Sequence, residues 1–155
     1  LDNSPYHYTC DVLDLLNSKG KNYYDLIISH PPCTYLAVSG NRWYYDRPDL
    51  YIPAASFASS FFDYADMVAV ENPVGRLSKL WRKPDQYIQP WMFGHGETKK
   101  TGLWLKNLPL LKPTNIVDGR EQRIWKLPPS SNRGLMRSIT YAGIADAMAE
   151  QWGCK

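Results

Sequence analysis

Two short apolar runs carry the clearest signal in the hydrophobic pattern of this chain. YDLIISH, residues 24–30, is rich in Ile and is stopped by proline. MVAVENP, residues 67–73, has the same form and stops at Asn-Pro. Each reads as a buried strand. Between them, PDLYIPAASFASSFFDYAD carries apolar residues at helical spacing through Phe57, Phe61 and Tyr64, with Asp46 or Pro48 as its start. Strand, loop, helix, strand is a βαβ unit, which implies parallel strands in an α/β sheet. Beyond Pro73 the periodicity weakens. GRLSKLWR predicts a short helix, TGLWL a strand, and the proline-containing residues 106–136 mostly loop. SITYAGIADAMAEQWG predicts a closing helix with Ile144, Met148 and Trp152 on one face and Gly153 as its stop.

With 155 residues, the chain is long enough for one domain, 1–155, with a real core. No apolar run approaches the length of a membrane span, so no membrane partner is expected. The net charge of +3 permits a nucleic-acid partner without demanding one. Cys10, Cys33 and Cys154 are odd in number and widely spaced, which argues against a disulfide framework and for a reducing cytoplasm. The 6 Trp and 11 Tyr fall often in loop-like stretches, where rings are free to stack.

Chemistry enters at the ends of the two predicted strands, where open parallel sheets form their sites. Cys33 follows the first strand and Glu71 ends the second. Pro31 and Pro32 make a stiff, extended platform, because proline fixes φ and pushes the preceding residue out of helix. Cys33 therefore leaves the sheet in a defined direction, and positioning is a large share of catalysis. A cysteine and a carboxyl group so placed suit one reaction in particular. The thiolate adds to carbon 6 of a cytosine, the carboxyl group bonds the ring nitrogen and exocyclic amine, and carbon 5 becomes nucleophilic. Each residue has a plainer reading. Cys33 alone fits an ordinary buried thiol, and Glu71 a strand-end carboxylate paired with a surface lysine. His7-x-x-Cys10 and His30-x-x-Cys33 have zinc-like spacing, but two prolines between ligands suit a zinc knuckle poorly; no metal is expected. NRWYYDR, residues 41–47, is either a stacking surface for bases or a loop packed on its own domain. KLWRK and the Lys99–Lys100 pair either meet phosphates or form solvated surface.

The chain resembles the DNA cytosine carbon-5 methyltransferases, and more closely the small phage and prophage cytosine methylase-like proteins. The likeness rests on PCTYLAVSG at Pro32–Gly40, on ENP at Glu71–Pro73, and on FGHGETKKTGLWL, which puts Glu97, Lys99 and Thr101 at the places of a Gln-x-Arg-x-Arg motif. CDVLDLL and TYAGIADAMAEQW resemble the segments that border the cofactor. The resemblance implies a Rossmann-like, mostly parallel methyltransferase fold, incomplete at its N-terminus, from a phage or bacterial host. It implies Cys33 as nucleophile, Glu71 as ring-polarising acid, and Pro32, Asn72, Lys99, Lys100, Thr101 and Arg42 toward the substrate. The partner implied is double-stranded DNA with the target base flipped. S-adenosylmethionine is the implied methyl donor, with Asp11 and Ile144 beside it. The family's Gly-rich donor loop belongs well upstream of Asp11, so weak or absent donor binding is expected; FGHG is the alternative place for it. Residues 39–46 match the loop that closes over a flipped base, and mobility is expected there. The rival expectation is an inactive methyltransferase-fold module that binds nucleic acid or a protein partner.

Overall fold

A computed structural model describes Ser4 and residues 6–153; Leu1 and Cys154 lie outside the described residues. The sheet has four strands, β1 (Leu26–Ser29), β2 (Met67–Pro73), β3 (Gln86–Ile88) and β4 (Thr101–Lys106), in the order β1-β2-β4-β3. Helices α1 (Val12–Lys19), α2 (Asn41–Tyr44), α3 (Pro48–Ser60), α4 (Leu77–Leu80), α5 (Arg123–Lys126), α6 (Arg133–Ser138) and α7 (Ala142–Trp152) surround it. Among the described residues, no helix is long and apolar enough to cross a membrane.

The βαβ unit is present as the pattern predicts: β1 and β2 pair in parallel, with Ser29 opposite Val70, and α3 lies in the crossover. The helix begins at Pro48, whose missing N–H is no loss in a first turn. The sheet as a whole is α/β but mixed, which corrects the expectation of a mostly parallel one. β4 runs antiparallel to both β2 and β3. The reason is the connection before it. Residues 89–100 hold only a 3-10 turn, Pro90–Met92, and no helix that would carry the chain back across the sheet. A parallel neighbour needs such a crossover. The chain therefore re-enters the sheet at the end where β3 left it, with Ile88 opposite Thr101.

Side chains alternate along each strand, and the alternation divides the core. Val68, Val70 and Trp104 face a cluster built from Leu16 of α1, Ala55 and Ala58 of α3, and Leu36 and Leu77. Ala69, Leu103 and Leu105 face the other cluster, with Ile144, Ala147, Met148 and Trp152 of α7. The predicted apolar face of the closing helix is thus its buried face. After the end of β4 at Lys106, residues 107–136 are loop apart from α5 and the start of α6, much as the weak periodicity predicts.

Two elements differ from the sequence reading. CDVLDLL forms α1, whose start Asp11 caps: its Oδ1 accepts from the Leu13 N–H at 2.8 Å. β3 is only three residues long, too short for a periodic pattern to register.

Candidate functional site

The topology gathers one end of the sheet. β1, β2 and β3 end there, and antiparallel β4 begins there, so the segments after Ser29, at Glu71, after Ile88 and before Thr101 converge. This is the end to which the sequence assigns Cys33 and Glu71.

The loop carrying Cys33 is clamped to the loop after β2. Asn72, 1 % exposed, donates its Nδ2 hydrogen to the Pro31 carbonyl at 3.0 Å. The Val38 N–H reaches the Val74 carbonyl at 3.1 Å, and the Arg76 N–H the Leu36 carbonyl at 2.7 Å. Leu36 is fully buried and anchors the turn. Ala37 and Gly75 pair as an isolated antiparallel bridge. A Cβ on Gly75 would stand 1.9 Å from the Leu36 oxygen, so only glycine allows this approach. Within the turn, the Cys33 carbonyl accepts from the N–H groups of Leu36 and Ala37. The proline platform, the asparagine bond and the loop pairing together fix where Cys33 starts.

Burial pushes the Cys33 thiol above its ordinary range, and the Glu71 carboxylate adds to the rise; Lys99 and Arg137 pull it back down. Glu71, Lys99 and Arg137 thus all bear on the Cys33 thiol. Glu71 is 17 % exposed and its Oε2 lies 3.2 Å from His30 Nδ1, which leaves Oε1 for another partner. Lys99 donates to the Arg137 carbonyl at 2.9 Å, and Arg137 donates to Ser39 Oγ at 3.1 Å. Lys99 and Arg137 also line a cleft of about 500 Å³ with Ser39, Pro73, Gln89 and Trp125. Cys33 and Glu71 are not among its lining residues; the two cations connect them to it.

The remaining expected residues divide. Pro32 is exposed beside Cys33. Lys100 lines the cleft, and its ammonium sits 4.3 Å from the Tyr87 ring centroid. Thr101 is 3 % exposed and donates to the Lys99 carbonyl at 3.0 Å, so its hydroxyl supports the backbone there. Arg42 stacks on Trp43 and lies outside the cleft lining. Residues 39–46 form the turn Val38–Gly40 and α2, with Trp43 67 % exposed and Tyr44 packed edge-on against Tyr35. Arg76 holds this segment through the Tyr44 and Asn41 carbonyls.

Asp11 and Ile144 do not come together. Asp11 caps α1 on one side of the sheet, while Ile144 is 5 % exposed in the core on the other. S-adenosylmethionine needs polar partners for its ribose and amino-acid groups. The apolar groove along β1, about 450 Å³ and walled by Leu15, Leu16, Ile27, Phe57 and Phe61, offers only Tyr24, Ser29 and His30 as polar side chains. The residues assigned to the donor do not fit it. FGHG serves packing. Gly96 lies against Gly119, and the His95 ring accepts the Gly143 N–H at the start of α7. Among the described residues, no three His, Cys, Asp or Glu side chains gather as a metal group; His30 is bonded to Glu71 instead.

Sequence reasoning missed Arg137, Gln89 and the His30–Glu71 contact. Arg137 stands in no motif, and only the packing of α6 brings it to Ser39. His30 was visible, but its spacing suggested zinc. No protein-family model matches the chain, and no curated protein matches its sequence.

Proposed function

We propose that this is a DNA cytosine carbon-5 methyltransferase-like domain in which Cys33 is the nucleophile and Glu71 the ring-polarising acid. One observation carries the reading. Cys33 and Glu71 are far apart in sequence, yet Cys33 follows β1, Glu71 lies near the end of the adjacent parallel strand β2, and the Glu71 charge bears on the Cys33 thiol. Their order and spacing are those of the resembled family. Lys99 and Arg137 support it, because two cations favour the thiolate and suit a DNA phosphate or base oxygen.

The chemistry at the pair is addition and elimination. The thiol gives up its proton to solvent, and the sulfur forms a bond to cytosine carbon 6. The π pair of the 5,6 double bond is released toward carbon 5, while the Glu71 carboxyl group holds the ring nitrogen and exocyclic amine. Carbon 5 then takes up an electrophile. Loss of the carbon-5 proton and cleavage of the sulfur–carbon bond restore the ring. S-adenosylmethionine supplies the methyl group in the resembled family, and no step here is routed through it.

The addition is testable without a donor, because a proton from water is also an electrophile. DNA deuterated at cytosine carbon 5 should lose its label to solvent when incubated with the protein. Cys33→Ser should abolish the exchange, and Glu71→Gln should slow it about a hundredfold. No exchange by the wild-type protein over days would sink the assignment.

The raised thiol and the misfit of Asp11 and Ile144 favour a second reading, a module that keeps the fold and binds nucleic acid without chemistry. Retention of DNA with neither exchange nor methyl transfer identifies it.

A further inference from the structure

Beside the cleft lies a second and larger groove, of about 1090 Å³. Val38 and Val74 line both, so the two share a wall. The clamped loops that hold Cys33 are therefore also the partition between the grooves. The lining of the larger groove combines cations with phenol rings: Arg76, Lys79 and Lys83 with Tyr45, Tyr51 and Tyr87.

The charges in it are available. Among the described residues, no carboxylate forms an ion pair with Lys79, Lys83 or Lys100. Asp85 is engaged by Arg82 at 2.8 Å, and Asp49 by Arg47 at 2.7 Å. Asp46 is the one acidic residue in the lining. The rings differ in availability. Tyr51 is covered by the Arg76 guanidinium, 4.6 Å from its centroid. Tyr45 is 75 % exposed and Tyr87 41 %, and Lys100 stands over the Tyr87 ring.

Unpaired lysines beside exposed aromatic rings are what a single nucleic-acid strand needs. The lysines follow the phosphates, and the rings stack on unpaired bases whatever their sequence. A duplex hides its base faces, so it would use the lysines and waste the rings. We infer that this groove binds single-stranded DNA, receiving the strand that leads away from a base held at Cys33, across the clamped loops. The inference rests on the reading of Cys33 and Glu71 as the place where a DNA base reacts.

Fluorescence anisotropy with a labelled oligothymidylate of about twelve nucleotides tests it. This probe contains no cytosine, so Cys33 has nothing to add to. The wild-type protein should bind it more tightly than an A·T duplex of equal length. Affinity should fall with salt, and the log–log slope should shrink by about 0.7 for each lysine removed. Lys79→Ala with Lys83→Ala should weaken binding about tenfold, as should Tyr87→Ala. Gly134→Ala, where a Cβ meets nothing within 4 Å, should bind like wild type. Thermal melting of each variant checks folding; if Tyr87→Ala melts early, the exposed lysine pair decides. Absence of binding at low salt, preference for the duplex, or equal affinity of the lysine variant would overturn the inference. Oligothymidylate binding without deuterium exchange would leave the groove standing and remove the methyltransferase reading. Exchange without oligothymidylate binding would do the reverse.

Discussion

Asn72 makes one side-chain hydrogen bond where it has the capacity for more. Its Nδ2 ties the Pro31 carbonyl, while its buried Oδ1 has no partner. The residue is 1 % exposed, so this one bond holds a polar group in the core beside the reactive loop. Asn72→Ala should lower unfolding free energy by about 2–3 kcal/mol in urea titration, from the orphaned carbonyl and the void. Cys33 offers a sharper test of the electrostatics. Its thiol is raised first by burial, then by Glu71, and lowered by Lys99 and Arg137. Alkylation needs the thiolate, so its rate at Cys33 should keep rising with pH beyond the range where an ordinary cysteine levels off. Glu71→Gln removes a raising charge and should speed iodoacetamide labelling at pH 8 by about two- to tenfold. Lys99→Met should slow it by a similar factor. Labelling followed by peptide mass spectrometry separates Cys33 from Cys10. Equal rates in all three proteins would show that these charges do not meet at Cys33.

The loops after β1 and β2 act as a pair because backbone meets backbone at Gly75. An alanine there would place its Cβ 1.9 Å from the Leu36 oxygen, and that oxygen is held by the Arg76 N–H. Neither side can give way without opening the other. Gly75→Ala should therefore destabilise the protein by about 2 kcal/mol or more, by thermal or urea unfolding. It should also reduce deuterium exchange beyond what the remaining folded fraction explains. Gly134→Ala is the control, since a Cβ there meets nothing within 4 Å. The proline platform and the glycine have a common purpose in this frame. Pro31 and Pro32 limit how the chain leaves β1, and Gly75 lets the neighbouring loop close on it.

Long-range polar contacts join the β3–β4 connection to the last helix. Tyr141 donates to Glu97 Oε2 at 2.7 Å, and Arg123 to Glu97 Oε1 at 2.9 Å. Burial pushes the Glu97 carboxyl up, but the Arg123 and Tyr141 hydrogen bonds outweigh it and leave it below the usual carboxylate range. A depressed carboxylate stabilises the fold above its unfolded pKa, and that stability is lost as pH falls through the folded value. Glu97→Gln should thus cost about 1 kcal/mol near neutral pH. Its melting temperature should converge with wild type as the medium is acidified below about pH 4. Parallel melting curves at every pH would mean that the carboxylate carries no linked stability.

The amino-acid pattern alone determined β2 to the residue, the start of α3 to Asp46 or Pro48, and the buried face of α7. Those features follow from short-range rules: apolar periodicity, proline stops and the parallel pairing that a βαβ unit imposes. Tertiary structure decided the rest of the candidate site. Lys99 bears on the Cys33 thiol because β4 runs antiparallel, and that direction depends on how residues 89–100 turn. Arg137 arrives from α6, 98 residues along the chain, to bond Ser39. Glu97, which stood in the sequence at the place of a substrate-binding motif residue, is bonded by Arg123 and Tyr141. A local pattern carries a residue's own conformation and burial, whereas its partners are set by strand direction and packing between segments distant in sequence.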